Sequence, residues 1–221
     1  SGSGNHFAEL VVGERLDPAS LLPETFCGLL THSGSRKVGY AIATAYMRLA
    51  AQETRQVAQV PKMYEWLSLD GEAGQEYWQA MELAGDFARA NHQVIHAAFV
   101  RRTKLRPIQV IENHHNFAWR DGDQVLHRKG ATPAEVGTLG IIPGSMATAS
   151  YIVAGLGNAD ALQSAAHGSG RVGSRTQARQ TIGMSAVRQM LREQDVLVEG
   201  LSVDEAPQAY KDIERVMQIQ V

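Results

Sequence analysis

Six of the eight histidines in this 221-residue chain sit where chemistry can use them, in loops or at the ends of short apolar runs. His6 lies in Gly4-Asn5-His6-Phe7-Ala8-Glu9, and His32 opens His32-Ser33-Gly34-Ser35-Arg36. His114 and His115 lie in Glu112-Asn113-His114-His115-Asn116, and His127 opens His127-Arg128-Lys129-Gly130. His167 opens His167-Gly168-Ser169-Gly170-Arg171. Neutral imidazoles are ligands for Mn²⁺, Zn²⁺ or Fe²⁺. Glycine amides in a turn make anion-binding concavities, and arginine adds a forked donor for phosphate oxygens. With Pro143-Gly144-Ser145-Met146, these segments form a kit for holding metal and phosphate together. His92 and His96 differ: they share one helix face at i, i+4, but no acidic third ligand or Gly-rich loop accompanies them, so they read as structural.

The elements that must position these loops follow from hydrophobic periodicity. Leu10–Val12 and Phe26–Leu30 read as short strands, as do Ile108–Ile111, Gln124–His127, Leu139–Ile142 and Tyr151–Val153. Helical spacing runs from Val38 to Val57, from Gly74 to Arg102, from Ser174 to Glu193 and from Pro207 to Gln218. The expected class is α+β, a mixed α/β arrangement of short strands, Gly-rich active-site loops and several long helices.

The net charge of −2 argues against a chain that coats nucleic acid by bulk charge, but it leaves room for local basic sites. Arg36–Lys37, Arg128–Lys129 and Arg171, Arg175 and Arg179 lie beside glycines or histidines and read as such sites, whereas Arg101, Arg102 and Lys104 read as solvated charge. Apolar runs fall short of a membrane span, and no secretion leader is visible. A single cysteine, Cys27, rules out an internal disulfide framework, points to a reducing cytoplasmic setting and reads as a buried strand residue.

The stretches GSGNHFAEL, HSGSR, ENHHNFAWR, HRKGATPAE, GIIPGSMATASYIVAGLGN, HGSGRVGSR and APQAYKDI, in that order, resemble the RtcB RNA-ligase family over nearly the whole chain. The resemblance implies one RtcB-like catalytic domain over residues 1–221. It also implies an enzyme that joins RNA 3′-phosphate or 2′,3′-cyclic phosphate ends to 5′-hydroxyl ends, using GTP and two Mn²⁺ ions. By motif, His167 matches the guanylylated nucleophile, and His6, His32 and His115 match the metal ligands. The guanylate-binding segments match Asn5, His6, Phe7, Ala8 and Glu9; His115 and Asn116; Pro143, Gly144, Ser145, Met146 and Ser150; and His167, Gly168, Ser169 and Gly170. Arg36 and Arg171 are candidate phosphate donors, while His114 and His127 read as supporting residues.

The family pattern also has parts that this sequence lacks. An Asp and a bridging Cys in a D-x-x-C motif, and a closing lysine, have no counterpart here. The expectation is therefore a C-terminal portion of an RtcB-like protein, beginning inside its site with Ser1–Gly4 as native loop and impaired without its N-terminal portion. Lys37, Ala147 and Ser169 depart from the usual residues and point to a divergent branch, such as the one linked to a release-factor homologue, with an activating protein as a further partner. Two other functions stay open: a non-catalytic fragment that binds nucleotide or RNA phosphate, and a three-histidine metal-dependent phosphoesterase.

Overall fold

The computed structural model describes residues 6–220, so the expected loop Ser1–Gly4 and the expected nucleotide contact Asn5 lie outside the described residues. The chain divides into two compact units, Ser1–Pro107 and Ile108–Val221. The mixed α/β class expected from the sequence is what it adopts.

The first unit pairs β1 (Phe7–Glu14) with β2 (Thr25–His32) in an antiparallel hairpin whose register sets Phe7 opposite His32 and Val12 opposite Cys27. Alternation divides β1 into a half-buried face (Glu9, Val11, Gly13) and an exposed one (Ala8, Leu10, Val12). Cys27 belongs to the exposed face, so the buried cysteine expected from the apolar run is corrected: period 2 turns its thiol outward. Gly13 has no side chain because the Phe26 ring occupies the space where a Cβ would stand.

Two helices complete the unit. The first, α1 (Arg36–Val57), starts where Ser35 caps it, the Gly39 N–H donating to Ser35 Oγ at 3.1 Å. The second, α2 (Glu72–Thr103), packs against it, with the Tyr46 and Tyr77 rings 5.1 Å apart. The segment between them is tied to α1 by Thr54. This buried hydroxyl accepts from the Trp66 N–H and donates to the Trp66 carbonyl, both at 3.0 Å.

In the second unit the strands are β3 (Asn116–Asp121), β4 (Gln124–Lys129), β5 (Ala131–Pro133), β6 (Leu139–Ile142), β7 (Tyr151–Ala154) and β8 (Ser164–Ala166). They pair as β3–β4, β5–β8 and β6–β7, all antiparallel. Gly122, at φ 58, supplies the positive φ of the tight turn between β3 and β4. Ile108–Ile111 forms no strand: Ile108 and Val110 are exposed, and no described strand pairs with them.

The expected Ser174–Glu193 helix is two helices, α3 (Arg175–Thr181) and α4 (Met184–Glu193). The break at Ile182 and Gly183 lets Ile182 pack on the core of Val187, Leu191 and Ala206, which Met146 and Ala147 also reach. The expected helix from Pro207 is a single 3-10 turn, Pro207–Ala209, and α5 begins only at Ile213 (Ile213–Gln220). Tertiary pairing overrides local propensity here: Lys211 N–H donates to the Gly170 carbonyl at 2.9 Å, and Val172 N–H donates to Ala209 at 3.0 Å.

Candidate functional site

In the first unit, strand register brings two of the expected metal ligands together. Because Phe7 pairs with His32, the preceding residue, His6, places its ring 6.1 Å from that of His32, tilted by 47°. The Phe7 ring meets the same imidazole edge-on at 5.7 Å. Among the described residues, no group of three His, Cys, Asp or Glu side chains is gathered for a metal ion. The two imidazoles have the donor chemistry that a divalent cation accepts. Burial raises the Glu9 carboxyl above its usual range.

Three α2 side chains, none of them part of the motif matches, hold the end of β2. His96 Nε2 lies 2.8 Å from Thr31 Oγ1, and His92 Nε2 sits 3.0 Å from the Ser33 N–H and 2.9 Å from its carbonyl. Asn91 donates to Ser33 Oγ at 2.7 Å. The i, i+4 histidines are thus structural: from one helix face they hold the Thr31 side chain and the Ser33 backbone on either side of His32. Arg36 then enters α1 at φ 59, a left-handed conformation that costs a non-glycine residue about 1–2 kcal/mol. Strain of this kind collects at binding sites, and the Arg36 side chain is exposed.

The second unit assembles its site around Gly130. Its N–H faces both the His115 carbonyl and Asn116 Oδ1, each at 3.2 Å, and its carbonyl accepts from the His167 N–H at 3.4 Å. Gly130 sits at φ 73, and a Cβ there would stand 3.3 Å from His167 Nε2 and Cδ2. The His115 and His167 rings stack at 4.7 Å, only 13° from parallel. Burial pushes the His167 imidazole below its ordinary pKa; a hydrogen bond to its own backbone opposes this, and the charge of Lys129 adds to it. Burial thus favours the neutral form of the ring, which has a lone pair to offer.

Side chains of their own brace two of the expected nucleotide segments of this unit, the one at 113–116 and the one at 143–150. Asn113, which the motif matches passed over, grips β6 by donating to the Leu139 carbonyl at 3.1 Å and accepting from the Ile141 N–H at 3.0 Å. Ser150 Oγ accepts from Gly144 N–H at 3.1 Å, and Thr148 Oγ1 accepts from Ser145 N–H at 2.6 Å. Only glycine fits at 144, where a Cβ would stand 2.1 Å from the Ala149 carbonyl oxygen. The two loops touch: a Cβ on Gly168 would come within 3.2 Å of the Pro143 carbonyl oxygen. His114 packs on Phe117 with ring centroids 5.2 Å apart, while His127 is exposed.

Not every basic residue faces a ligand. Arg128 is 4 % exposed, lies 4.8 Å from the Trp119 ring centroid and donates to Ser164 Oγ, Glu135 Oε1 and the carbonyls of Leu162 and Gln163. The expected Arg128–Lys129 basic site is corrected to Lys129 alone, because the cross-strand alternation of β4 turns Arg128 inward. Arg175 and Arg179 are engaged by the buried Asp204 at 2.8 and 3.2 Å, and Arg175 also holds Glu205. Ser202, Arg175 and Arg179 together keep the Asp204 carboxyl far below its usual range. Arg171 donates to Tyr210 Oη at 3.3 Å, but its buried Nη2 has no acceptor within the protein. The Ser169 hydroxyl, in a residue 5 % exposed, also has no protein partner. Two such groups in one Gly-rich loop have the donor chemistry to hold an anion, which would relieve a cost of about 1–3 kcal/mol for each.

The tRNA-splicing ligase RtcB family model matches residues 1–221. The chain belongs to this family. It is 33% identical to an RNA-splicing ligase RtcB of Mycobacterium bovis, over 98% of this chain and 59% of that protein. Identity is also 33% to an RNA-splicing ligase RtcB of Escherichia coli, over 99% of the chain and 56% of the relative. A tRNA-splicing ligase RtcB of Pyrococcus horikoshii is 34% identical over 99% of the chain and 30% of its own length. The chain thus spans from about a third to somewhat more than half of these RtcB relatives. No described helix is long and apolar enough to cross a membrane.

Proposed function

We propose that this chain carries the guanylyl-accepting part of an RNA ligase that joins 3′-phosphate or 2′,3′-cyclic phosphate ends to 5′-hydroxyl ends with GTP. The reading rests on one observation above all. His167 is half-buried, shifted by burial toward its neutral form and stacked on His115, in the same loop as the unpartnered Ser169 hydroxyl and Arg171 Nη2. In this reading a His167 ring nitrogen attacks the α-phosphorus of GTP, an N–P bond forms, pyrophosphate leaves and the ring proton passes to solvent. Ser169 and Arg171 hold phosphate oxygens, and Gly168 and Gly170 keep side chains out of the nucleotide's path. An RNA 3′-phosphate oxygen next displaces His167 from the GMP phosphorus. The 5′-hydroxyl then attacks the 3′-phosphate and releases GMP.

His6 and His32 of the first unit would hold Mn²⁺. The metal would supply charge neutralisation for phosphate oxygens when bound. The proposed setting is the cytoplasm. Intact mass spectrometry without strong acid, before and after incubation with GTP and Mn²⁺, tests the reading. A gain of one GMP is expected, and it should vanish in His167→Ala. A His167→Ala chain that still gains GMP would refute the assignment.

A further inference from the structure

A groove of about 1050 Å³ runs in the first unit between α1 and the segment that Thr54 ties to it. Tyr40, Met47, Arg48, Arg55 and Lys62 line it. At 100° per residue, Lys37, Arg48 and Arg55 fall within about 20° of one line along α1. That line is about 27 Å long and starts at the helix end that carries Arg36. The sole carboxylate of α1, Glu53, projects about 160° away from it. Across the groove, the Glu65 carboxylate is turned to the Met63 N–H at 2.8 Å. Among the described residues no carboxylate pairs with Lys37, Arg48, Arg55 or Lys62, which are all exposed. A chain of net charge −2 thus concentrates unpaired cations along one trough, and it leaves the Tyr40 ring 77 % exposed on its wall.

We infer that this groove is a sequence-independent track for single-stranded RNA, with Arg48, Arg55 and Lys62 on successive phosphates and Tyr40 as a stacking face for a base. Charge complementarity selects the occupant: a line of cations with one aromatic face matches a polyanion whose bases are unpaired. The inference rests on the ligase reading only for taking RNA as the nucleic acid. It adds a substrate-guiding surface outside the histidine loops. It also gives Lys37 a place at the head of the line.

The test is fluorescence anisotropy of a labelled oligouridylate of about 20 nucleotides, at several salt concentrations, in chelator and without GTP. The probe carries a 3′-hydroxyl, so no ligation chemistry enters. The Arg48→Gln/Arg55→Gln/Lys62→Gln variant should lower the slope of log Kobs against log salt by about 2. Tyr40→Ala should weaken binding about tenfold with the slope unchanged. Arg101→Gln/Arg102→Gln/Lys104→Gln, at the exposed end of α2, should change the slope by far less. Equal losses in both triple variants, an unchanged slope in the groove variant, or no RNA binding by the unaltered chain would overturn the inference. So would a groove variant that alters the oligomeric state while RNA binding stays the same. The groove variant should still take up GMP at His167, so a failed track and a failed ligase reading give different results.

Discussion

The Gly130→Ala substitution separates backbone strain from active-site geometry, because a matched control exists. Gly130 and Gly122 both have positive φ, at 73 and 58. Alanine in that region costs about 1–2 kcal/mol at either position. The surroundings differ: a Cβ at 122 meets nothing within 4 Å, whereas a Cβ at 130 stands 3.3 Å from His167 Nε2 and Cδ2. That spacing is tighter than ordinary van der Waals contact, so the imidazole must shift by a few tenths of an ångström, and the His115 ring at 4.7 Å limits where it can go. Positioning errors of 1 Å cost about 100-fold in rate, so a shift of this size predicts about a tenfold slowing of GMP uptake. Urea unfolding should show similar stability losses for both variants, while timed intact-mass measurements show slow uptake for Gly130→Ala alone. If Gly130→Ala is guanylylated as fast as Gly122→Ala, the contact with His167 does not position the nucleophile.

Three further outcomes follow from the geometry. Arg128→Ala removes a buried guanidinium with four acceptors and should cost about 3–5 kcal/mol in urea unfolding, against less than 1 kcal/mol for Arg120→Ala on the exposed end of β3. If the ligase reading is right, His96→Ala, which removes the partner of Thr31 Oγ1 next to His32, should weaken Mn²⁺ binding about tenfold by calorimetry, with little loss of stability. The Asp204 carboxyl is depressed by Ser202, Arg175 and Arg179, so its contribution to stability is present above the ordinary carboxylate range and is lost as pH falls through its folded value. Tyr210 is pushed up to about 12 by burial and by Glu205, so stability should fall as pH rises from about 10 to about 12. Unfolding midpoints across pH should show both limbs, and Tyr210→Phe should flatten only the alkaline one.

The long elements were legible in the sequence because their signals are local. Short β-type runs bounded by turn residues marked β1, β2, β4, β6 and β7, and 3.6-residue periodicity marked α1 and α2. The strands β5 and β8 have three residues each, too short for a pattern, and exist only because they pair with one another. The 210–211 segment looks helical until its hydrogen bonds to the Gly170 loop are seen. In the candidate site, the histidine loops carried their own composition signal. What holds them did not: Gly130 joins two loops about 50 residues apart in sequence through its N–H and carbonyl, and Asn91, His92 and His96 act across about 60 residues. Arg128 misled because alternation along β4 decides its direction, and charge type alone cannot show that.

The outward-facing thiol of Cys27 gives this molecule a spectroscopic address. It is the sole cysteine, so a nitroxide attached there needs no competing thiols removed. Cys27 and His32 lie on the same strand, five residues and about 17 Å of backbone apart. A paramagnetic Mn²⁺ ion captured at His6 and His32 would therefore broaden the label's signal at short range, and zinc, being diamagnetic, would not. Metal capture by this histidine pair can thus be tested by magnetism alone, with neither nucleotide nor RNA present.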